Sequence, residues 1–212
     1  MKDRYDDIDE YIRDVQAEIE QNDQCAIHYY NLGMALLTKK DFVDAEEAFL
    51  NAVRNSAHMA EAYVQLGGIC MQRGDLEGCL RYNHEAANCR AQYAIPWSNI
   101  GFVHLQRGEV KEAVKALDKA LKWDPDLLQA RTSLASACIM QGEYDSAIEQ
   151  CDYVIKKEAD FGPAWHNKSL ALCEKGDYQQ AINCADKAMD CGYDVPEAYL
   201  MDLADHLKAQ KN

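Results

Sequence analysis

Cysteine and histidine are the side chains here that most readily bind metals or act as nucleophiles, and the 212-residue chain has nine of the former and six of the latter. Their spacing suits neither chemistry. Cys79, His84 and Cys89 lie five residues apart, so on one helix they point in different directions. Cys184 and Cys191 share a helix face but have no further Cys or His nearby. We therefore expect reduced thiols that fill volume in a helical core, and no metal site.

Catalytic motifs are also missing from the sequence. It contains no GxxxxGK[ST], no GxGxxG after a strand, no HExxH and no GxSxG. The histidines are scattered singly over the predicted helices, where a lone imidazole is usually structural: His28, His58, His84, His104, His166 and His206. The sequence predicts a protein that is not an enzyme and that carries no cofactor.

The elements that position these side chains repeat with a period of about 34 residues. Gly33, Gly67 and Gly101 have this spacing, and Ala135 and Ser169 continue the series. A second small-residue series has the same period: Ala45, Cys79, Ala113, Ala147 and Ala181. Two apolar patterns of helical spacing flank a turn in each unit. Four of the five turns place Gly where a helix ends, followed by an acidic residue that can cap the next helix.

This pattern resembles the tetratricopeptide repeat, most closely in the third unit, which has Trp97, Ile100, Gly101, Ala113, Leu117, Ala120 and Pro125 at the characteristic positions. The resemblance implies an all-α fold, a right-handed superhelical solenoid of five helix-turn-helix repeats at 26–59, 60–93, 94–127, 128–161 and 162–195. Residues 196–212 would form a C-terminal capping helix. Two departures are Asn83, where a large apolar residue is usual, and Lys168, where Leu is usual.

Residues 1–25 are expected to hold an acidic amphipathic helix that stands outside the period. Its apolar docking stripe consists of Ile8, Ile12, Val15 and Ile19. Three roles are open for this extra helix: a cap on the first repeat, self-association, or occupation of a groove in cis or in trans.

In the family, ligands bind along the concave side that the first helices form. The resemblance places these residues of the chain there: Ile27, Tyr30, Met34, Leu37, Glu61, Val64, Met71, Ile95, Ser98, Phe102, Leu105, Gln129, Thr132, Ile139, Met140 and His166. None is Lys or Arg, so we expect no carboxylate clamp of the kind that chaperone-binding members use. Tyr30, Met34, Met71, Phe102, Leu105 and Met140 would form one apolar path. Such a lining suits an amphipathic helix or an extended apolar segment of another protein.

The charge balance limits the choice of partners. With 22 Lys and Arg against 36 Asp and Glu, the net charge is −14, which argues against nucleic acid and anionic membranes as ligands. No stretch is apolar enough to insert into a membrane, and the charged segment 1–10 does not resemble a secretory signal, so we expect a cytoplasmic protein. Four lysines of one predicted helix are interpreted as a solvated outer face, with a docking patch for an acidic partner as the alternative: Lys111, Lys115, Lys119 and Lys122.

The sequence thus favours a non-catalytic adaptor or scaffold for protein–protein interaction. The alternative is a self-assembling homo-oligomeric scaffold in which the N-terminal helix docks into a groove. A third and weaker hypothesis is a thiol- or metal-responsive regulator that uses the cysteines.

Overall fold

The computed structural model describes residues 7–210, and in this range the chain forms twelve α-helices and no strand. The all-α class is therefore confirmed. The helices are α1 (Ile8–Gln21), α2 (Ala26–Thr38), α3 (Phe42–Asn55), α4 (Ala60–Gln72), α5 (Leu76–Cys89), α6 (Ala94–Gln106), α7 (Val110–Trp123), α8 (Leu128–Gln141), α9 (Tyr144–Lys157), α10 (Gly162–Glu174), α11 (Tyr178–Asp190) and α12 (Glu197–Gln210). Residues 1–6 and 211–212 of the two terminal segments lie outside the described range.

The helix bounds follow the repeat period closely, and α1 follows it too. The first helices of the five pairs begin at 26, 60, 94, 128 and 162, and the second helices at 42, 76, 110, 144 and 178. Helix α1 begins and ends one repeat period before α3, and its N-cap Asp7 stands one period before the α3 N-cap Asp41. The expectation that this segment stands outside the period is therefore wrong, because α1 occupies the register of a second helix.

Small residues of the glycine series allow the two helices of a pair to approach closely. A Cβ atom built on Gly33 would lie 2.6 Å from the Phe49 ring, and one on Gly101 would lie 2.6 Å from Leu117 Cγ. Neither distance is compatible with a side chain, so the glycines are required by the packing of α2 on α3 and of the end of α6 on α7.

The turns inside the pairs require a left-handed residue after the first helix. Gly74, Gly108, Gly142 and Gly176 supply it with φ between 72° and 80°. Lys40 occupies the same position in the first pair with φ of 61°, which costs a residue with a Cβ atom more than it costs glycine.

The chain divides into two compact units, 1–100 and 101–212, and the division falls inside α6. The first unit has a core around Phe49, Leu66 and Ile69. The second has one cluster around Ala135 and Cys151 and another beneath α12, and both consist mainly of small and aliphatic side chains that neighbouring helices share. Each helix buries one face against its neighbours, as expected for stacked repeats.

The unusual Asn83 is fully buried in the first unit and carries a small polar network. Its Nδ2 donates to the Cys79 carbonyl oxygen at 2.8 Å, and its Oδ1 accepts from Asn99 Nδ2 at 2.9 Å. These bonds offset the desolvation of the amide and tie α5 to the part of α6 that belongs to this unit. Within the described range no helix is long and apolar enough to cross a membrane.

Candidate functional site

The first compact unit presents apolar side chains from α2, α4 and the start of α6. Ile27 is 49% exposed and Ile95 is 42% exposed. The other apolar residues predicted for this surface are half-buried, so each shows part of its side chain to solvent: Tyr30, Met34, Leu37, Val64 and Met71. We call this set of seven residues the first-unit surface.

Next to this surface lies a charged and aromatic group that sequence reasoning did not find. Glu61 forms an ion pair with Arg90, whose guanidinium carbon lies 5.0 Å from the centre of the Tyr93 ring. Burial and the nearby negative charge of Glu61 raise the pKa of Tyr93, and the same two causes raise the pKa of Tyr30. The predicted groove positions contain no Lys or Arg, yet Arg90 neutralises Glu61, the one acidic residue among them. The repeat pattern does not point to Arg90, because this residue caps the C-terminus of α5 and lies outside the first helices.

The second compact unit has its own apolar positions on α6 and α8. Phe102 is 40% exposed and Met140 is 52% exposed, whereas Leu105 and Ile139 are half-buried. Gln129 is exposed at the start of α8. We call these five residues the second-unit surface.

Three predicted groove residues are buried, and we leave them out of both surfaces. Ser98 is buried in α6. The Thr132 hydroxyl donates to the Leu128 carbonyl oxygen at 2.9 Å, back along its own helix. The His166 ring lies 4.9 Å from the Tyr193 ring, so an aromatic side chain covers the place where a ligand was expected.

The predicted docking stripe lies partly in the interior of the first unit. Ile12 and Val15 are buried, Ile8 and Ile19 are half-buried, and α1 packs against α2. An ion pair between Lys39 and Asp9 adds a polar contact at one end of this helix pair.

All nine cysteines are free thiols, and five of them are buried. Burial raises the pKa of Cys151 to about 12 and that of Cys79 to about 11, so these two thiols are protonated at neutral pH. Protonated, buried thiols are poor nucleophiles and poor metal ligands. Among the described residues, no group of three or more His, Cys, Asp or Glu side chains could hold a metal ion.

Three sequence models of the tetratricopeptide repeat match the chain. They match residues 104–173, residues 12–60 and 30–78, and residues 162–190, which together are more than half of its length. The chain belongs to the tetratricopeptide-repeat family. One match begins at residue 12, inside α1, in agreement with the register of that helix. A search of curated protein sequences finds no match.

Solved tetratricopeptide-repeat structures share the fold at low sequence identity. YrrB, described as having an unusual peptide-binding site, is 21% identical with a TM-score of 0.66, over 93% of this chain and 98% of YrrB. A tetratricopeptide-repeat protein from Parabacteroides merdae is 17% identical with a TM-score of 0.74, over 97% of this chain and 81% of that one. MamA is 23% identical with a TM-score of 0.62, over 76% of this chain and 94% of MamA. Membership of this family indicates a scaffold for protein–protein interaction.

Proposed function

We propose that the chain is a non-catalytic adaptor, and that its first-unit surface and its second-unit surface each bind a segment of another protein. The observation that carries the proposal is the position of its exposed apolar side chains. Eight large apolar side chains are exposed in the described range, and four of them lie at predicted groove positions: Ile27, Ile95, Phe102 and Met140. The other four are Val43, Trp123, Met189 and Met201. Exposed apolar side chains that gather on a surface of a protein usually mark an interaction site.

The side chains of the two surfaces suit an amphipathic helix or an extended apolar segment. Met34, Met71 and Met140 are flexible thioethers that can repack around differently shaped apolar groups. The net charge of −14 favours a segment with cationic side chains beside its apolar ones. The peptide-binding site of YrrB is a precedent within the same fold.

In this proposal α1 is a cap on the first repeat. The burial of Ile12 and Val15 in the chain's own first unit supports this role over docking into another copy. An uncovered α2 would expose apolar side chains of the first repeat, and α1 prevents this.

The proposal is tested by measuring the affinity of the purified protein for a partner identified by crosslinking. Phe102→Ala removes an exposed aromatic anchor and should weaken binding by about 30-fold, the equivalent of about 2 kcal/mol. Lys115→Ala removes an exposed side chain of α7 and should leave the affinity unchanged, because that side chain lies outside both surfaces. A partner that loses affinity with Lys115→Ala and not with Phe102→Ala would show that binding uses the lysine face of α7.

A further inference from the structure

Ion pairs join neighbouring helix pairs at two equivalent places, each between the C-cap of a first helix and the first turn of the preceding second helix. Lys39 at the C-cap of α2 pairs with Asp9 in the first turn of α1. Lys175 at the C-cap of α10 pairs with Asp145 in the first turn of α9. The members of each pair are 30 residues apart, and the two pairs are separated by four repeat periods. The same ion pair therefore recurs in both compact units.

At the corresponding place between α3 and α4 the acidic residue is replaced by Val43, whose side chain is 78% exposed. Arg73, the C-cap residue of α4, instead binds Glu46 with both arms of its guanidinium group, at 2.7 Å from Nη1 to Oε2 and 3.1 Å from Nη2 to Oε1. The ion pair is thus moved along α3 by one turn, and an apolar side chain is left in solvent where the other two places carry a carboxylate.

A pocket of about 300 Å³ lies beside Val43, at the lower end of the size range of small-ligand sites. Its apolar part comes from Phe42, Val43 and Ile69, and its polar part from Glu46, Gln72 and Arg73. A depression of similar size, about 290 Å³, occupies the equivalent place between α9 and α10, but there Tyr144 and Gly142 share the lining with Glu143, Asp145, Ser146 and Lys175, so that polar and apolar atoms contribute about equally. The pocket beside Val43 is therefore the more apolar of these two equivalent places.

The exposed surface of α3 around Val43 is acidic. Asp41, Asp44 and Glu47 are exposed at the N-cap and in the first two turns of α3, next to Val43. Arg73 is already neutralised by Glu46. The neighbouring cations Lys39 and Arg73 pair with Asp9 and Glu46, so the charges of the exposed Asp44 and Glu47 are available to a ligand.

We propose that this pocket is a second docking site, separate from the first-unit surface, for a protein segment that inserts one aliphatic side chain beside a Lys or Arg. The aliphatic side chain contacts Val43, Phe42 and Ile69, and the cation lies against Asp44 and Glu47. An aliphatic group alone would leave these carboxylates unpaired, and an acidic segment would be repelled by them.

The test uses the full chain, two short peptides and NMR of labelled methyl groups. The probe is acetyl-Ser-Leu-Lys-Lys-Ser-amide, and the matched control peptide has Gly in place of Leu. We expect the Ile69 and Val43 methyl signals to shift saturably with the Leu peptide, and the Gly peptide to bind at least about tenfold more weakly because the buried aliphatic group is lost. Equal titrations with both peptides, or no saturable shift at Ile69, would overturn the proposal.

Val43→Asp is the decisive variant, because it restores the acid that pairs with Lys39 and Lys175 elsewhere and so should fold normally. In this variant the Leu peptide should no longer shift the Ile69 methyl, whereas an unchanged titration would contradict the proposal. Asp44→Asn combined with Glu47→Gln keeps the pocket and removes the two carboxylates near Val43 on α3, and should weaken binding of the Leu peptide several-fold. The Ile27 and Ile95 methyls report the first-unit surface in the same spectra, so failure at one site is distinguished from failure at the other.

Discussion

Two adjacent glycines of α4 should respond in opposite ways to alanine. Gly67 is buried, and a Cβ atom there would collide with Asn83 Nδ2, whereas Gly68 is exposed and a Cβ atom there would meet nothing within 4 Å. Both lie inside the helix, so each substitution gains about 1 kcal/mol of helix propensity. The difference between the two variants therefore isolates the packing of α4 on α5.

The cost at Gly67 follows from how Asn83 is held. A methyl group can be accommodated only if the buried amide moves, which breaks its hydrogen bond to Cys79 or to Asn99. A buried polar group left unpaired costs about 1–3 kcal/mol, and overpacking adds about 1–3 kcal/mol. After the propensity gain, Gly67→Ala should lower the free energy of unfolding by about 1–5 kcal/mol. Gly68→Ala should raise it by up to about 1 kcal/mol.

Urea unfolding followed by circular dichroism measures both changes. A third protein, Gly67→Ala with Asn83→Ala, should recover part of the loss, because the side chain that collides is gone. If both single variants were stabilised to the same extent, the close approach of α4 and α5 at Gly67 would be refuted.

Three further predictions concern single positions. Lys40→Gly should raise the free energy of unfolding by about 0.5–1 kcal/mol because φ at this position is 61°, while Lys40→Ala should change it little; urea unfolding distinguishes the two. Ile12→Asp should lower the thermal midpoint, because a charge replaces a buried side chain worth about 1.5–3 kcal/mol, and an unmoved midpoint with an unchanged oligomeric state would contradict the docking of α1. Burial lowers the pKa of His166 from 6.5, so the folded state favours the neutral ring. The free energy of unfolding is therefore unaffected by this residue above pH 6.5, and it decreases as the pH falls below 6.5, where the unfolded state binds the proton more readily. Urea unfolding at a series of pH values should show this loss in the wild type and a smaller one in His166→Phe; equal losses would refute it.

The helix pairs could be predicted from the sequence because small residues are required where the two helices of a pair touch, and these residues recur with the repeat period. The repeat period also predicted the left-handed turns, and the structure confirms Gly74, Gly108, Gly142 and Gly176 in that conformation. The repeat period alone does not reveal the register of α1, because Tyr11 stands where α3 and α7 carry Ala45 and Ala113 and because the apolar stripe of α1 has a spacing of its own. The recurring acidic N-cap at Asp7 was the signal that could have revealed it.

The candidate surfaces were less predictable, because exposure depends on neighbouring elements that one helix pattern does not describe. His166 has the position of a ligand-facing residue, but Tyr193, from the linker between α11 and α12, and Tyr199 of α12 cover it. Arg90 lies outside the first helices and reaches Glu61 because α4 and α5 pack as one helix pair, which brings the end of α5 to the start of α4. These contacts join positions that are far apart in the chain, beyond the range of any local pattern.

We propose that partners bind at the first-unit surface and at the second-unit surface. Binding at the second-unit surface is tested most directly by photo-crosslinking from a benzophenone amino acid placed singly at Phe102 or Met140, with Lys111 and Lys115 as exposed control positions on α7. We expect crosslinks to one and the same partner protein from positions 102 and 140, and none from 111 or 115. Crosslinks that form only from the α7 positions would contradict it.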